Sequence, residues 1–177
     1  MRADTTWKKL CGAALFTVLA AVAGLLESLV PLELFLPLPG VKLGLANLFI
    51  AAAFVTLGKG YAFGVLIART LLIFLFSGNP YALLLSLAGG CLSYIGLLLL
   101  VPLAFKVFSY IGVFAACAAL HGVGQCLAAC VFIGTPVLAY LPLLGSACTL
   151  TGALCGLLMN LFYESPFFPK GQHANEA

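Results

Sequence analysis

Long apolar runs alternate with short polar or Gly/Pro breaks along this chain, and that pattern sets the expected architecture. The first run covers residues 10–30. At about 21 residues it is long enough to cross a bilayer as a helix. Residues 31–40 follow, with Pro31, Pro37 and Pro39. Proline lacks an N–H donor and resists helix continuation, so this stretch reads as a loop or re-entrant element. Further apolar segments are read over 41–57, 61–76, 81–105, 110–133 and 137–162. Gly58-Lys59-Gly60, Ser77-Gly78-Asn79-Pro80 and Gly134-Thr135-Pro136 punctuate them as turns. The expected fold is an all-α integral membrane protein, a compact bundle of about six transmembrane helices. Residues 1–177 form one membrane domain, with a short N-terminal tail (1–9) and a polar, frayed C-terminal tail (163–177).

The second and third segments are short for a span, so a re-entrant hairpin with four full spans is the competing topology. The charge pattern favours six. Lys59 is costly at the bilayer centre, and the positive-inside rule resolves cleanly with six spans. Arg2, Lys8, Lys9, Lys59, Lys106 and Lys170 then share one side, and Lys42 takes the other. This predicts a multi-pass protein of the inner (plasma) membrane with both termini cytoplasmic. The N-terminus imitates a secretion signal, with Lys8 and Lys9 before an apolar run holding Ala21-Val22-Ala23. That run continues to Val30, so it reads as an uncleaved first helix.

Composition agrees. The chain is 64% hydrophobic and 7% charged, with a mean hydropathy of +1.21. A soluble domain carries about 25% charged residues, so lipid is the solvent for most of this surface. The net charge of +3 is spread thinly, and no basic run interleaved with aromatics points to nucleic acid. Seven cysteines lie in apolar stretches without a CxxC pair. Cys126 and Cys130 share a helical face that could hold a metal; the plainer reading is apolar packing.

Polar groups within a membrane are costly and usually face the bundle interior. Here they are Glu27, Lys42, Asn47, Arg69, His121, Gln125 and Asn160. Arg69 offers a planar fork suited to carboxylate or phosphate. Lys42 is a point charge, and His121 and Gln125, four apart, present hydrogen-bonding groups on one helical face. Most fall in the outer half of the expected topology, where a pocket open to the exterior would sit. Each has a structural alternative: a Glu27–Arg69 ion pair, a Lys42 that snorkels to the headgroups, or interhelical hydrogen bonds for the amides and imidazole. Asn160 reads as structural. The candidate substrate-binding set is therefore Glu27, Lys42, Asn47, Arg69, His121 and Gln125, with no metal or cofactor expected. Mostly small residues every four positions (Gly12, Phe16, Ala20, Gly24, Ser28; Ala115/Ala119; Ala118/Gly122) mark faces for close helix approach, within the chain or toward a partner.

Absences narrow the chemistry. No GxxxxGK[ST] loop is present, so any ATP-driven work needs a partner. Asp4 is the sole aspartate, which excludes an Asp-rich metal-diphosphate motif and an unaided enzyme of that kind.

The stretch Pro39-Gly40-Val41-Lys42-Leu43-Gly44-Leu45-Ala46-Asn47 is distinctive. With Glu27, Pro31, Arg69, Ser77-Gly78, Leu87-Ala88-Gly89-Gly90 and His121…Gln125, it resembles a bacterial membrane family over roughly residues 20–135. That family is called both Gx transporter and heptaprenyl diphosphate synthase component I; Gly122 after His121 departs from its frequent His-Asn. The resemblance implies two functions. One is similar to the substrate-capture subunits of energy-coupling-factor transporters: a small-molecule binder that relies on a transmembrane coupling subunit and ATPases. The other is an accessory role beside a prenyl transferase subunit in isoprenoid synthesis. A stand-alone secondary transporter is a third expectation.

Overall fold

The computed structural model describes residues 2–29, 42–104 and 110–164. The Pro-rich stretch 31–40, Lys106 and the tail beyond residue 164 lie outside these. Six α-helices are present: α1 (Arg2–Leu29), α2 (Ala46–Leu57), α3 (Lys59–Ser77), α4 (Pro80–Ala104), α5 (Tyr110–Ile133) and α6 (Leu141–Glu164). A short 3-10 helix, Thr135–Tyr140, precedes α6. All helices but α2 are long and apolar enough to cross a membrane. Their exposed faces are leucine and valine, such as Leu15, Val22 and Leu26 on α1 and Leu150, Leu154 and Leu161 on α6. Lipid is the solvent that such faces require. Tyr94 packs against Phe54 and Phe63 near one end of the bundle, and Tyr81 against Phe132 near the other. Aromatic residues belong at both membrane–water interfaces.

The breaks are where glycine allows them. Gly58 and Gly134 take φ of +99° and +97°, and Gly78 closes α3 in the left-handed region. The expected second segment differs from the helix that forms. The apolar run starts at Val41, whereas α2 starts at Ala46, after non-helical backbone over Lys42–Gly44. Its 12 residues rise about 18 Å, short of the ~30 Å hydrocarbon core. Gly44, at φ +92°, makes the bend that precedes the helix.

α2 sits centrally, in contact with α1, α3, α4 and α6; α5 packs between α4 and α6. The small-residue faces are consumed inside the chain. A Cβ on Gly12 would lie 3.2 Å from Leu57, and one on Gly24 would lie 2.5 Å from Ile73, so α1 lays its small stripe on α2 and α3. Gly122 fits against Cys148, and Gly152 against Phe114 and Ala118, which closes the α5–α6 seam. The cysteines belong to this packing. Cys117 and Cys155 lie in one buried apolar cluster, Cys126 and Cys148 in the other. Among the described residues no three His, Cys, Asp or Glu side chains gather as a metal site.

The α4–α5 crossing gives the sharpest packing test. A Cβ on Gly124 would stand 2.7 Å from the Ala88 carbonyl oxygen and 2.8 Å from Gly89 Cα, both backbone atoms that cannot turn aside. Gly124→Ala should therefore cost about 1–3 kcal/mol through overpacking, measured by thermal unfolding in mild detergent. Gly60→Ala, with nothing within 4 Å, should melt like the parent chain.

Candidate functional site

The non-helical segment 42–45 enters the bundle with Lys42 and Gly44 buried, and helix side chains satisfy much of its backbone. In lipid every main-chain polar group needs a partner, so irregular backbone persists at this depth only inside protein. The Lys42 N–H donates to Gln125 Oε1 on α5 at 3.3 Å. The Leu43 carbonyl accepts from Thr151 Oγ1 on α6 at 3.2 Å. The Leu45 N–H donates to Glu27 Oε1 on α1 at 2.6 Å. The Asn47 N–H turns back to the Gly44 carbonyl at 2.9 Å and so opens α2. Glu27 thus supplies, from a neighbouring helix, the anionic cap that Leu45 and the positive end of the helix dipole call for.

The side chains around this segment continue the network. Lys42 Nζ donates to the Gly24 carbonyl of α1 at 3.3 Å. Arg69 Nη2 donates to Asn47 Oδ1 at 3.0 Å. Gln125 Nε2 lies 2.8 Å from His121 Nε2. Because Gln125 spends its oxygen on Lys42, its amide nitrogen is the donor here. His121 Nε2 then accepts, and in the neutral ring the proton sits on Nδ1. The imidazole rests on α4, where a Cβ at Gly89 would come within 2.8 Å of Cε1 and Nδ1. Gly90 similarly leaves room for Leu66 and for Arg69 Nη2. That is the physical use of the Leu87-Ala88-Gly89-Gly90 stretch.

All six candidate residues therefore meet in one constellation. Arg69, His121 and Gln125 are at most 2% exposed, Glu27 4% and Lys42 6%. Asn160 joins none of these hydrogen bonds. Glu27 and Arg69 form no direct ion pair among the described residues; each engages α2 instead. Arg69 stands near the middle of its segment, where the sequence places it, and His121 lies closer to mid-helix than the outer half expected for it. Arg69 lies about 15 Å along α3 from Lys59, and His121 about 17 Å along α5 from Tyr110, by the helical rise. Both are near mid-helix, and the unwound start of α2 carries Lys42 and Asn47 inward to meet them. Thr151, Gly44, Gly89 and Gly90 complete the site, and sequence reasoning did not assign them to it.

The network is incomplete in a specific way. Arg69 Nε, Asn47 Nδ2, His121 Nδ1 and Glu27 Oε2 are buried without hydrogen-bond partners. Other hydroxyls in the helices, such as Thr17, Thr56 and Thr70, bond the carbonyl one turn back. Polar atoms left unpaired in an apolar medium are costly, and four of the five such side-chain atoms among the described residues gather here, the fifth being the Tyr81 hydroxyl, which makes this the candidate site. A cavity of about 20 Å³ reaches this group through Asn47 alone, with room for a water-sized group. Gly44, Asn47 and Ser93 form its polar end, and Leu48, Leu97 and Phe114 its apolar walls.

Compared with protein families, the chain matches heptaprenyl diphosphate synthase component I over residues 16–162. It belongs to that family. No curated protein and no solved structure matches it.

The cap on Leu45 makes a clean prediction. Glu27→Ala strands a buried N–H and should destabilise the chain by about 1–3 kcal/mol. Glu27→Gln keeps an oxygen for the same bond and should recover most of the loss. Thermal melts of the two variants in one detergent check this.

Proposed function

We propose that this chain, as a member of that family, is the membrane subunit (component I) of a heptaprenyl diphosphate synthase, and that it binds and positions rather than catalyses. The family match carries this reading, since residues 16–162 take in every constellation residue. With Asp4 as the sole aspartate, the chain cannot supply an Asp-rich metal-diphosphate cluster. Bond formation then falls to a prenyl transferase partner. A membrane subunit has a physical task beside such a partner. Each buried methylene of a prenyl chain favours lipid over water by about 0.8 kcal/mol, so a bilayer-embedded dock gives the product a place to go. Clustered lysines and arginines support an orientation with both termini cytoplasmic, in the inner membrane of a bacterium.

A second reading is favoured by one observation, the short helix α2 whose N-terminal approach lies among buried polar side chains. Interrupted helices whose ends face buried polar groups are how many transporters hold a solute. On that reading the chain captures a small molecule for an uptake system, with a transmembrane coupling subunit and ATPases supplying energy.

The tagged chain, purified in mild detergent from its native host, separates these readings by mass spectrometry of its partners. The expected result is an Asp-rich prenyl transferase in fixed ratio. A coupling subunit with paired ATPases in fixed ratio would overturn the component I assignment in favour of uptake. If the chain emerges alone, both give way to a secondary transporter, which should take up solute in gradient-energised vesicles.

A further inference from the structure

We propose that the constellation at the start of α2 is a binding site for a single anionic group, a phosphate or a carboxylate. The chemistry follows from two inventories. The first is charge. Among the described residues, Lys42 and Arg69 bring two cationic side chains against one carboxylate, Glu27, and all three are buried. The α2 N-terminus adds its positive dipole end at the same place. Buried charge in a low-dielectric bundle calls for a counter-charge, and Glu27 already spends Oε1 on Leu45.

The second inventory is hydrogen bonding. Arg69 Nε–H and an N–H of Asn47 Nδ2 are donors without partners, and the Nδ1–H of His121 has only the Gly89 backbone beside it, outside good hydrogen-bond geometry. The one unpaired acceptor in the group is Glu27 Oε2. Three donors against one acceptor describe a site that receives oxygen atoms, not one that receives a cation or an ammonium group. Arg69 is built for this, because its guanidinium offers several N–H groups and only Nη2 is committed to Asn47. Asn47 connects the donors to the cavity that it lines with Gly44 and Ser93.

The cavity adds a secondary feature. Leu48, Leu97 and Phe114 line it together with Asn47. An anionic group with a short apolar body would place that body there, once the walls yield to more than a water-sized occupant. The anion can therefore arrive as a free solute or at the head of an apolar chain drawn from the bilayer. The charge balance is the same whichever partner the chain serves, so the co-purification result and the anion result fail separately.

The test uses the purified full chain in detergent and follows its melting temperature. Inorganic phosphate is titrated against gluconate at constant ionic strength, and butyl phosphate is run in parallel. A saturable rise of several degrees with either phosphate is expected. Arg69→Gln keeps a donor for Asn47 Oδ1 but removes the charge, and should weaken the apparent affinity at least tenfold. Lys42→Gln, which keeps its main-chain bond to Gln125, is the second variant if Arg69→Gln does not fold. Equal melting in both phosphates and in gluconate would overturn the site, as would an undiminished rise in the variants. A midpoint for butyl phosphate at least tenfold below that of inorganic phosphate assigns a ligand with an apolar body. Equal midpoints assign a free anion.

Discussion

A stretch of unwound backbone inside a membrane bundle is the constraint on which the rest of this structure depends. Residues 42–45 lack the hydrogen bonds of a regular helix; the Gly44 and Leu45 carbonyls are taken by the first turn of α2, and the remaining groups need partners inside the protein. Their partners must come from the surrounding helices, and three do the work: Glu27 of α1, Gln125 of α5 and Thr151 of α6. Each bond fixes one helix relative to the same few residues. The bundle is thus organised around a polar hub, with its apolar packing distributed to either side.

That hub explains why so few polar residues suffice, and why they sit where they do. Gln125 is used at both ends: its oxygen holds Lys42 and its nitrogen sets the tautomer of His121. Asn47 is likewise divided, with Oδ1 taken by Arg69 and Nδ2 left open. A structural role for these side chains therefore does not exhaust their hydrogen-bonding groups. The atoms already bonded support the fold, and the unpaired ones are left over from it. Glycine makes the arrangement possible at two points: Gly44 by its positive φ, Gly89 by admitting the imidazole onto α4.

Much of this was legible in the chain itself. The third, fourth and fifth helices lie within two residues of where the apolar runs and Gly/Pro breaks placed them, because local chemistry decides those boundaries. Glu27, Lys42, Asn47, Arg69, His121 and Gln125 stood out because each is costly in lipid and so must be used. The late start of α2 was not legible, since it is set by Gln125 and Thr151, which lie 83 and 108 residues from their partners in sequence. Thr151 was invisible for a further reason. It also bonds Ala147 and Cys148 in its own helix, as threonines in apolar helices ordinarily do. The small-residue stripes announced close contacts without saying with what; the answer, helices of the same chain, needed the packing.

The same long separations bear on how the protein is made. A membrane protein enters the bilayer in order, N-terminus first. When α1 to α4 have been inserted, Glu27 is present to cap Leu45, but the residues that complete segment 42–45 have yet to be synthesised. The half-built protein therefore carries open main-chain groups, an orphan Lys42 N–H and Leu43 carbonyl, until α5 and α6 arrive. Assembly of this bundle is concerted at its last step. The final helix pair seals the polar hub, and a chain truncated before it exposes to lipid, or to the insertion machinery, the very segment on which the finished structure turns.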